Sequence, residues 1–445
     1  MIPQFPARPY ESYVYAYPHK SAYRPLRPRP SLAEVWRGED RRALSFYAHI
    51  PFCEVRCGFC NLFTRVGAPD QLTTRYLDAL ERQAQQVRAA LEETGETPRF
   101  ANAAIGGGTP TFLEAAELSR LFDLVEGTMG VDLGSVPLSV EGSPSTATPD
   151  RLRILAERGT TRLSLGVQSF DATEARAAVR PQKTAEVERA LDAARESGIP
   201  ILNIDLIYGI EGQTEESWLR SIDSALEWKP EEVYLYPLYV RPLTGLARIS
   251  REAGDADIEW DAQRLALYRA GRDHLVACGY EQASMRMFRR LDAPRIEGGE
   301  DYACQTDGMI GLGCGARSYT SSLHYSFDYA VSAHEVRGII DDYVATEDFA
   351  HAEVGFRLDR DEQRRRHFLQ SLLQADGLDE AEYVQRFGTS AREDFADPIA
   401  QLRSTGFLPP SSLRLTPDGL AWSDAIGPLL FSESVRAAMR AYELK

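Results

Sequence analysis

Three cysteines within eight residues, Cys53, Cys57 and Cys60, are the part of this 445-residue chain whose type and spacing most directly suggest chemistry. They lie in Cys53-Glu-Val-Arg-Cys57-Gly-Phe-Cys60, a single tight loop, and six cysteines in all are too few for a disulfide scaffold. Three thiolates are one fewer than a closed structural zinc or iron-sulfur site needs. Two readings fit that shortfall. In the first, a 4Fe-4S cubane held by three cysteines keeps one iron open for the amino and carboxylate groups of S-adenosylmethionine. An electron passed to the sulfonium then breaks a C–S bond and yields a 5′-deoxyadenosyl radical. In the second, a zinc ion is completed by His49 or by a distant cysteine.

Such a loop needs a scaffold, and from Leu44 to Tyr239 short apolar runs alternate with longer amphipathic stretches, the pattern of strand-helix units around a parallel sheet. Strands are predicted at Leu44–Ile50, Phe100–Ile105, Pro137–Glu141, Arg162–Val167, Ile201–Ile207 and Glu232–Pro237. Helices are predicted at Thr73–Glu93, Glu114–Met129, Pro149–Arg158, Lys183–Ser197 and Glu215–Trp228. Six strands without the eight of a closed barrel predict an α/β fold, a partial (βα)6 TIM-like barrel, with its site at the strands' carboxyl ends. Distinctive residues recur at that end: the cysteines, Gly106-Gly107-Gly108-Thr109, Glu141, Gln168, Asp205 and Tyr239. Each alone reads equally well as an ordinary cap or turn residue; six in register point to one rim.

After Tyr239 the periodicity becomes irregular through Arg289–Gly315, then resumes as helices at Glu362–Gln374, Leu378–Phe387 and Asp394–Gly406. A short apolar segment, Leu413–Thr416, leads into Pro417–Phe431, so three helices and a hairpin-like tail predict a winged-helix-like module. From Phe356 to Lys445 there are 12 Lys and Arg against 14 Asp and Glu, so no basic face for DNA is evident. The working division is an N-terminal extension (1–43), the barrel (44–240), a connecting region (241–355) and the C-terminal helical domain (356–445). Over the whole chain 50 Lys and Arg face 66 Asp and Glu, a net −16, which repels a polyphosphate backbone. The partner expected is a small molecule. No stretch approaches the roughly 18 apolar residues of a membrane span, and Met1–Pro30 carries Pro, Tyr and Arg instead of an apolar signal core, so a cytoplasmic protein is expected.

Four motifs together carry a resemblance: His49-Ile-Pro-Phe-Cys53-x3-Cys57-x-Phe-Cys60, Gly106-Gly-Gly-Thr-Pro110, Leu165-Gly-Val-Gln168-Ser-Phe170 and Asn203-Ile-Asp-Leu-Ile-Tyr-Gly209. They resemble the radical SAM family of oxygen-independent coproporphyrinogen III oxidase and its haem-chaperone relative. Leu415-Thr-Pro-Asp-Gly-Leu420 is similar to that family's C-terminal domain. The resemblance implies a 4Fe-4S cluster on Cys53, Cys57 and Cys60, fed by a low-potential donor such as flavodoxin or ferredoxin, and two S-adenosylmethionine molecules side by side. Tyr47, Gly107, Glu141 and Arg317 match the contacts of the cluster-bound molecule. Phe59, Gly108, Thr109, Gln168, Arg180 and Asp205 match those of the second, with Tyr239 replacing a smaller residue. In these roles glycines admit a ligand to the backbone, carboxylates take ribose hydroxyls, and Arg180 pairs with a methionine carboxylate.

The chain also departs from its relatives. The oxidase proper places a further cysteine two residues after the triad, where this chain has Asn61-Leu62. The chaperone carries His-Asn and Tyr-Trp before a Gly-rich turn; this chain has Glu300-Asp-Tyr-Ala-Cys304-Gln305 ahead of Gly311-Leu-Gly-Cys314-Gly-Ala316. The Tyr-rich stretch Tyr10–Tyr23, with Pro18-His19-Lys20, does not match the oxidase's substrate side either. A third group within the resemblance uses the second S-adenosylmethionine as a one-carbon donor for methylation or cyclopropane formation at an sp2 carbon, and the expectation favours it. Cys278 reads as a core residue; Cys304 and Cys314 read either as residues that quench a radical or bind substrate or as small buried residues, the buried reading being favoured for Cys314 and the two balanced for Cys304.

Overall fold

The computed structural model describes residues 5–443, apart from 94, 96, 181, 250–257 and 297–303. Its strands, in chain order, begin with β1 (Arg24–Pro25), β2 (Leu44–Ile50), β3 (Phe52–Cys53), β4 (Arg65–Val66), β5 (Phe100–Gly107), β6 (Leu138–Gly142), β7 (Arg162–Gln168), β8 (Ile201–Tyr208) and β9 (Glu232–Pro237). There follow β10 (Tyr280–Gln282), β11 (Met287–Arg290), β12 (Met309–Leu312), β13 (Arg317–Tyr319), β14 (Leu323–Ser326) and β15 (Val354–Arg357). All six predicted barrel strands are present, as β2 and β5 to β9. They pair in parallel in that order, each with the next. β2 and β8 are buried almost throughout and the others over much of their length, because helices cover a parallel sheet.

The sheet is longer than the sequence suggests. It has 13 strands in the order β1-β15-β14-β13-β12-β2-β5-β6-β7-β8-β9-β11-β10, and it does not close. β12 adds in parallel beside β2, and antiparallel strands extend both flanks. Apart from the two-residue β1, these flanking strands follow Tyr239; at two to four residues each they are too short to show a period.

The predicted helices form with small shifts. Leu72–Glu92, Pro149–Glu157, Thr184–Glu196 and Glu215–Leu226 follow their strands. Ala115–Asp123 starts from a Glu114 capping box, and its last turn widens into a π-helix over Leu124–Thr128. Beyond the barrel come Arg360–Leu372, Glu380–Phe387 and Ala396–Ser404. The hairpin-like segment at Leu413–Thr416 forms no strand: Leu413 and Leu415 are buried, and Thr416 caps a helix that opens on Pro417. The tail is therefore helical, as Pro417–Ala421, Ser423–Leu429 and Glu433–Arg440.

Among the described residues two large hydrophobic cores result, beside a small cluster of Ala178, Ile207, Ile210 and Leu238. The larger fills the barrel and its covering helices; the smaller joins the C-terminal helices around Phe368, Leu402 and Ile426. Tyr17 and Ala22, from the N-terminal stretch, belong to the smaller core. That stretch crosses the barrel mouth on its way, with Tyr10 against Tyr208 and Tyr239 and Tyr13 against Tyr236. No helix among the described residues is long and apolar enough to cross a membrane.

Candidate active site

Cys53 ends β3, which pairs with β4 and so closes the base of the cysteine loop. Inside the loop the Cys60 amide donates to the Cys57 carbonyl at 3.0 Å. The Gly58 amide donates to the carbonyls of Ala178 and Val179, each at 3.2 Å. A Cβ on Gly58 would lie 2.7 Å from that of Val179, so only glycine allows this docking. The three thiols are free. Cys53 Sγ lies 3.4 Å from Thr109 Oγ1, Cys60 Sγ 3.8 Å from Thr64 Oγ1, and Arg180 Nη1 donates to Cys57 Sγ at 2.9 Å. Burial pushes the Cys53 thiol up to about 12 and raises Cys60 as well.

These groups fit an iron-sulfur cubane better than a lone zinc ion. Among the described residues no three His, Cys, Asp or Glu side chains gather as they would around one ion; a cubane does not ask for that, since each cysteine takes a different iron. His49, the fourth ligand of the zinc reading, is engaged elsewhere. Its ring meets the Tyr47 hydroxyl and the Phe63 carbonyl, both at 3.1 Å. Burial holds it neutral down to about 4. Of the distant cysteines, Cys314 is buried 3.9 Å from the Tyr76 hydroxyl. Cys278 is exposed, which corrects its reading as core: it follows the last turn of helix Ile258–Ala277, with Sγ 3.9 Å from His274. Cys304 and Gln305 are described, whereas Glu300 to Ala303 lie outside the described residues.

The glycine-rich run continues β5 directly beneath the cysteines. Gly107 takes φ +119°, and a Cβ there would fall 2.6 Å from the His49 ring; on Gly108 it would fall 3.0 Å from Cys53 Sγ. The Gly107 amide donates to Glu141 Oε2 at 3.0 Å. The Thr109 amide donates to the Phe52 carbonyl at 2.8 Å. Glu141 itself is exposed to solvent by area. Burial raises its carboxyl to about 7; the Gly107 amide opposes the rise and Asp205 adds to it. Asp205 on β8 is raised by burial to about 6, against hydrogen bonds from Asn203 at 2.7 Å and Ser164 at 3.3 Å. Gln168 sits at a bulge in β7 with φ +73°, which turns it out of the strand's alternation. Arg180 is held by Gln182, the Gly166 carbonyl and Cys57. Phe59 packs against Ala178, Ile207 and Leu238. Arg317, on β13, carries a buried Nη1 without a hydrogen-bond partner.

Comparison with known proteins now bears on this rim. Residues 47–225 match the Radical SAM superfamily and residues 358–422 the HemN C-terminal domain. The oxygen-independent coproporphyrinogen III oxidase of Escherichia coli is 30% identical over 377 residues, covering 81% of this chain and 78% of that protein. The chain belongs to the HemN-type family of radical SAM proteins. The heme chaperone HemW of Bacillus subtilis is 27% identical over 364 residues, 82% of this chain and 92% of that protein. The solved structure of coproporphyrinogen III oxidase (HemN) from E. coli shares the fold, with a TM-score of 0.76 at 24% identity over 95% of this chain and 99% of that one.

Membership in the radical SAM superfamily implies a 4Fe-4S cluster and S-adenosylmethionine. The chain's own residues suit both: three unpaired thiols in one loop, a glycine cradle that a Cβ would fill, and an unpartnered buried guanidinium. What sequence reasoning missed is how this HemN-type chain closes the mouth. The Tyr239 hydroxyl donates at 2.6 Å to Asp424, a residue of the C-terminal helices. Arg286 pairs with the same carboxylate and lies 3.8 Å from the centre of the Tyr13 ring. Arg286 and Asp424 stand 138 positions apart, so no local motif advertises them.

Proposed function

We propose that this chain is a radical SAM enzyme of the HemN type in which a second S-adenosylmethionine is a substrate, giving one carbon to an sp2 carbon of a small molecule by methylation or cyclopropanation. When bound, the cluster and the first S-adenosylmethionine supply the 5′-deoxyadenosyl radical, with electrons from a low-potential donor of the flavodoxin or ferredoxin kind. Cys53, Cys57 and Cys60 would hold the cluster. Gly107 lets a ligand approach its backbone, Glu141 offers a carboxylate to ribose hydroxyls, and Tyr47 and Arg317 would complete the contacts of that molecule. Phe59, Gly108, Thr109, Gln168, Arg180 and Asp205 would seat the second molecule, with Tyr239 at its outer edge.

The observation that carries the donor reading is the pairing of that second set of residues with Asn61-Leu62, where the oxidase has its additional cysteine. A second reading, oxidative decarboxylation of a porphyrinogen propionate, draws on the 30% identical E. coli relative, which is named as such an oxidase. A third, haem delivery, draws on the B. subtilis relative named as a heme chaperone. Methyl-deuterated S-adenosylmethionine separates the first two once a substrate is supplied. The donor reading expects deuterium in 5′-deoxyadenosine and S-adenosylhomocysteine rising with product. Unlabelled 5′-deoxyadenosine formed in step with carbon dioxide would overturn it. Stoichiometric haem uptake without 5′-deoxyadenosine would favour the chaperone.

A further inference from the structure

Only four of the chain's 50 basic residues are lysines, Lys20, Lys183, Lys229 and Lys445, so arginine is the cation this sequence ordinarily uses. Lys20 is the one carried by the segment that crosses the barrel mouth. Its Nζ stands 3.5 Å from the centre of the Tyr329 ring and 5.9 Å from that of Tyr15. Tyr329 donates at 2.9 Å to the carbonyl of Asn61, the residue after Cys60, which brings the ammonium close to the cysteine loop. Arg317 lies over the same Tyr15 ring at 4.7 Å, and Arg241 lies 4.2 Å over the ring of Tyr239. His19, whose ring is 5.6 Å from Tyr15, registers the convergence: burial and then Lys20, Arg317 and Arg241 hold it neutral down to about 3.

Among the described residues none of these three cations forms an ion pair with a carboxylate. Asp424 is taken up by Arg286 and Tyr239, and Glu141 forms no ion pair with these cations but accepts from the Gly107 amide. Arg317 Nη1 is buried and has no hydrogen-bond partner, and against the effect of its burial the Tyr15 hydroxyl has its titration lowered by Arg317 and Lys20. Burial lowers the Lys20 ammonium to about 8. Enclosing cations without a counter-charge is costly, and in a chain of net charge −16 the acids to neutralise them are plentiful but placed elsewhere. No carboxylate of the described residues pairs with these cations, so an anionic group that enters the mouth would meet them unneutralised by protein carboxylates.

We propose that Lys20 and Arg241, with Arg317 at the border with the cluster-bound S-adenosylmethionine and Tyr15 and Tyr329 as walls, form the subsite for the anionic group, a carboxylate or a phosphate, of the small molecule that receives the carbon. The proposal deepens the function given above and rests on it. A lysine suits the place because its compact ammonium can turn three donors toward one anionic oxygen while the two guanidinium groups grip from fixed directions.

The test is calorimetric titration of the full-length, anaerobically reconstituted protein with inorganic phosphate, pyrophosphate and succinate, each with and without saturating S-adenosylmethionine. At least one anion should bind in the presence of S-adenosylmethionine, the preferred one telling phosphate from carboxylate. Lys20→Met and Arg241→Gln should each weaken it roughly ten- to hundredfold, as expected for a lost charge-assisted contact. Lys20→Arg should keep most of the affinity, and Lys183→Met, on an exposed helix start, all of it. Wild-type affinity in both Lys20→Met and Arg241→Gln, or no anion bound by the wild type, overturns the proposal. Anion binding that disappears once S-adenosylmethionine is bound overturns it too, since the cations would then serve the methionine carboxylate. Formation of 5′-deoxyadenosine by the wild type is scored separately: its absence with anion binding intact counts against the radical reading and leaves the subsite standing.

Discussion

The strand-end rim and the cap that crosses it face the same opening but are built in opposite ways. The rim is a set of short local motifs, each delivered by the carboxyl end of its own strand: the cysteines after β2, the glycines of β5, Glu141 on β6, Gln168 on β7 and Asp205 on β8. The cap is assembled from distant pieces, Tyr10 to Lys20 from the N-terminus, Arg286 and Tyr329 from the connecting region and Asp424 from the C-terminal helices. Their chemistry differs as well. Thiols and carboxyls line the rim, and burial raises them toward their neutral forms; phenols and cations line the cap, and burial lowers Lys20. A rim made of motifs suits cofactors shared across a family. A cap made of long-range contacts is free to differ from one member to the next.

The comparison breaks most easily at the cysteines. Cys57→Ala should lower iron from about four per chain to near zero and abolish 5′-deoxyadenosine formation, measured by iron assay and chromatography after anaerobic reconstitution. One zinc and no iron in the wild type would sink the rim as described.

The cap should fail differently. Asp424→Asn leaves the buried Arg286 guanidinium without its counter-charge, and losing one partner of a buried pair costs about 3 to 5 kcal/mol. Denaturant unfolding should show that loss while the iron content per folded protein stays near the wild-type value. A change below about 1 kcal/mol would mean that the Asp424 contact does not hold the cap.

Within the rim, Arg180→Ala should weaken the second S-adenosylmethionine roughly ten- to hundredfold and spare the first. Equilibrium dialysis with labelled S-adenosylmethionine would reveal two sites in the wild type and one in the variant. Unchanged stoichiometry and product would remove support for the second site.

The smallest effect concerns pH. The Glu141 carboxyl titrates near 7 in the folded chain against 4.5 ordinarily. The folded state therefore holds the proton more tightly, and stability must fall as pH rises from about 4.5 through about 7. Glu141→Gln should flatten that part of the stability profile of the cluster-free protein, read by thermal melts at about pH 5 and about pH 8. A slope identical to that of the wild type would show that the Glu141 carboxyl, open to solvent on one side, is not raised by its surroundings.

The sequence by itself was enough for the parallel strands and for the rim. A buried parallel strand reads as a mostly apolar run, as Leu44–Ile50 and Ile201–Tyr208 do despite Ser45, His49, Asn203 and Asp205, and the residues near or just beyond its end lie toward the sheet's carboxyl edge. Cys53, Gly107, Glu141 and Asp205 could thus be assigned to one rim without knowing any contact. The short flanking strands, the helical tail in place of a hairpin and the exposure of Cys278 were not legible, because three or four residues carry no periodicity and a lone cysteine carries no direction. Nor could spacing show that Tyr239 ends on Asp424, or that Lys20 arrives beside Tyr329. Those pairings join residues hundreds of positions apart. They depend on how the two cores pack and on where the N-terminal segment is drawn when Tyr17 and Ala22 bury themselves among the C-terminal helices, which only the folded chain decides.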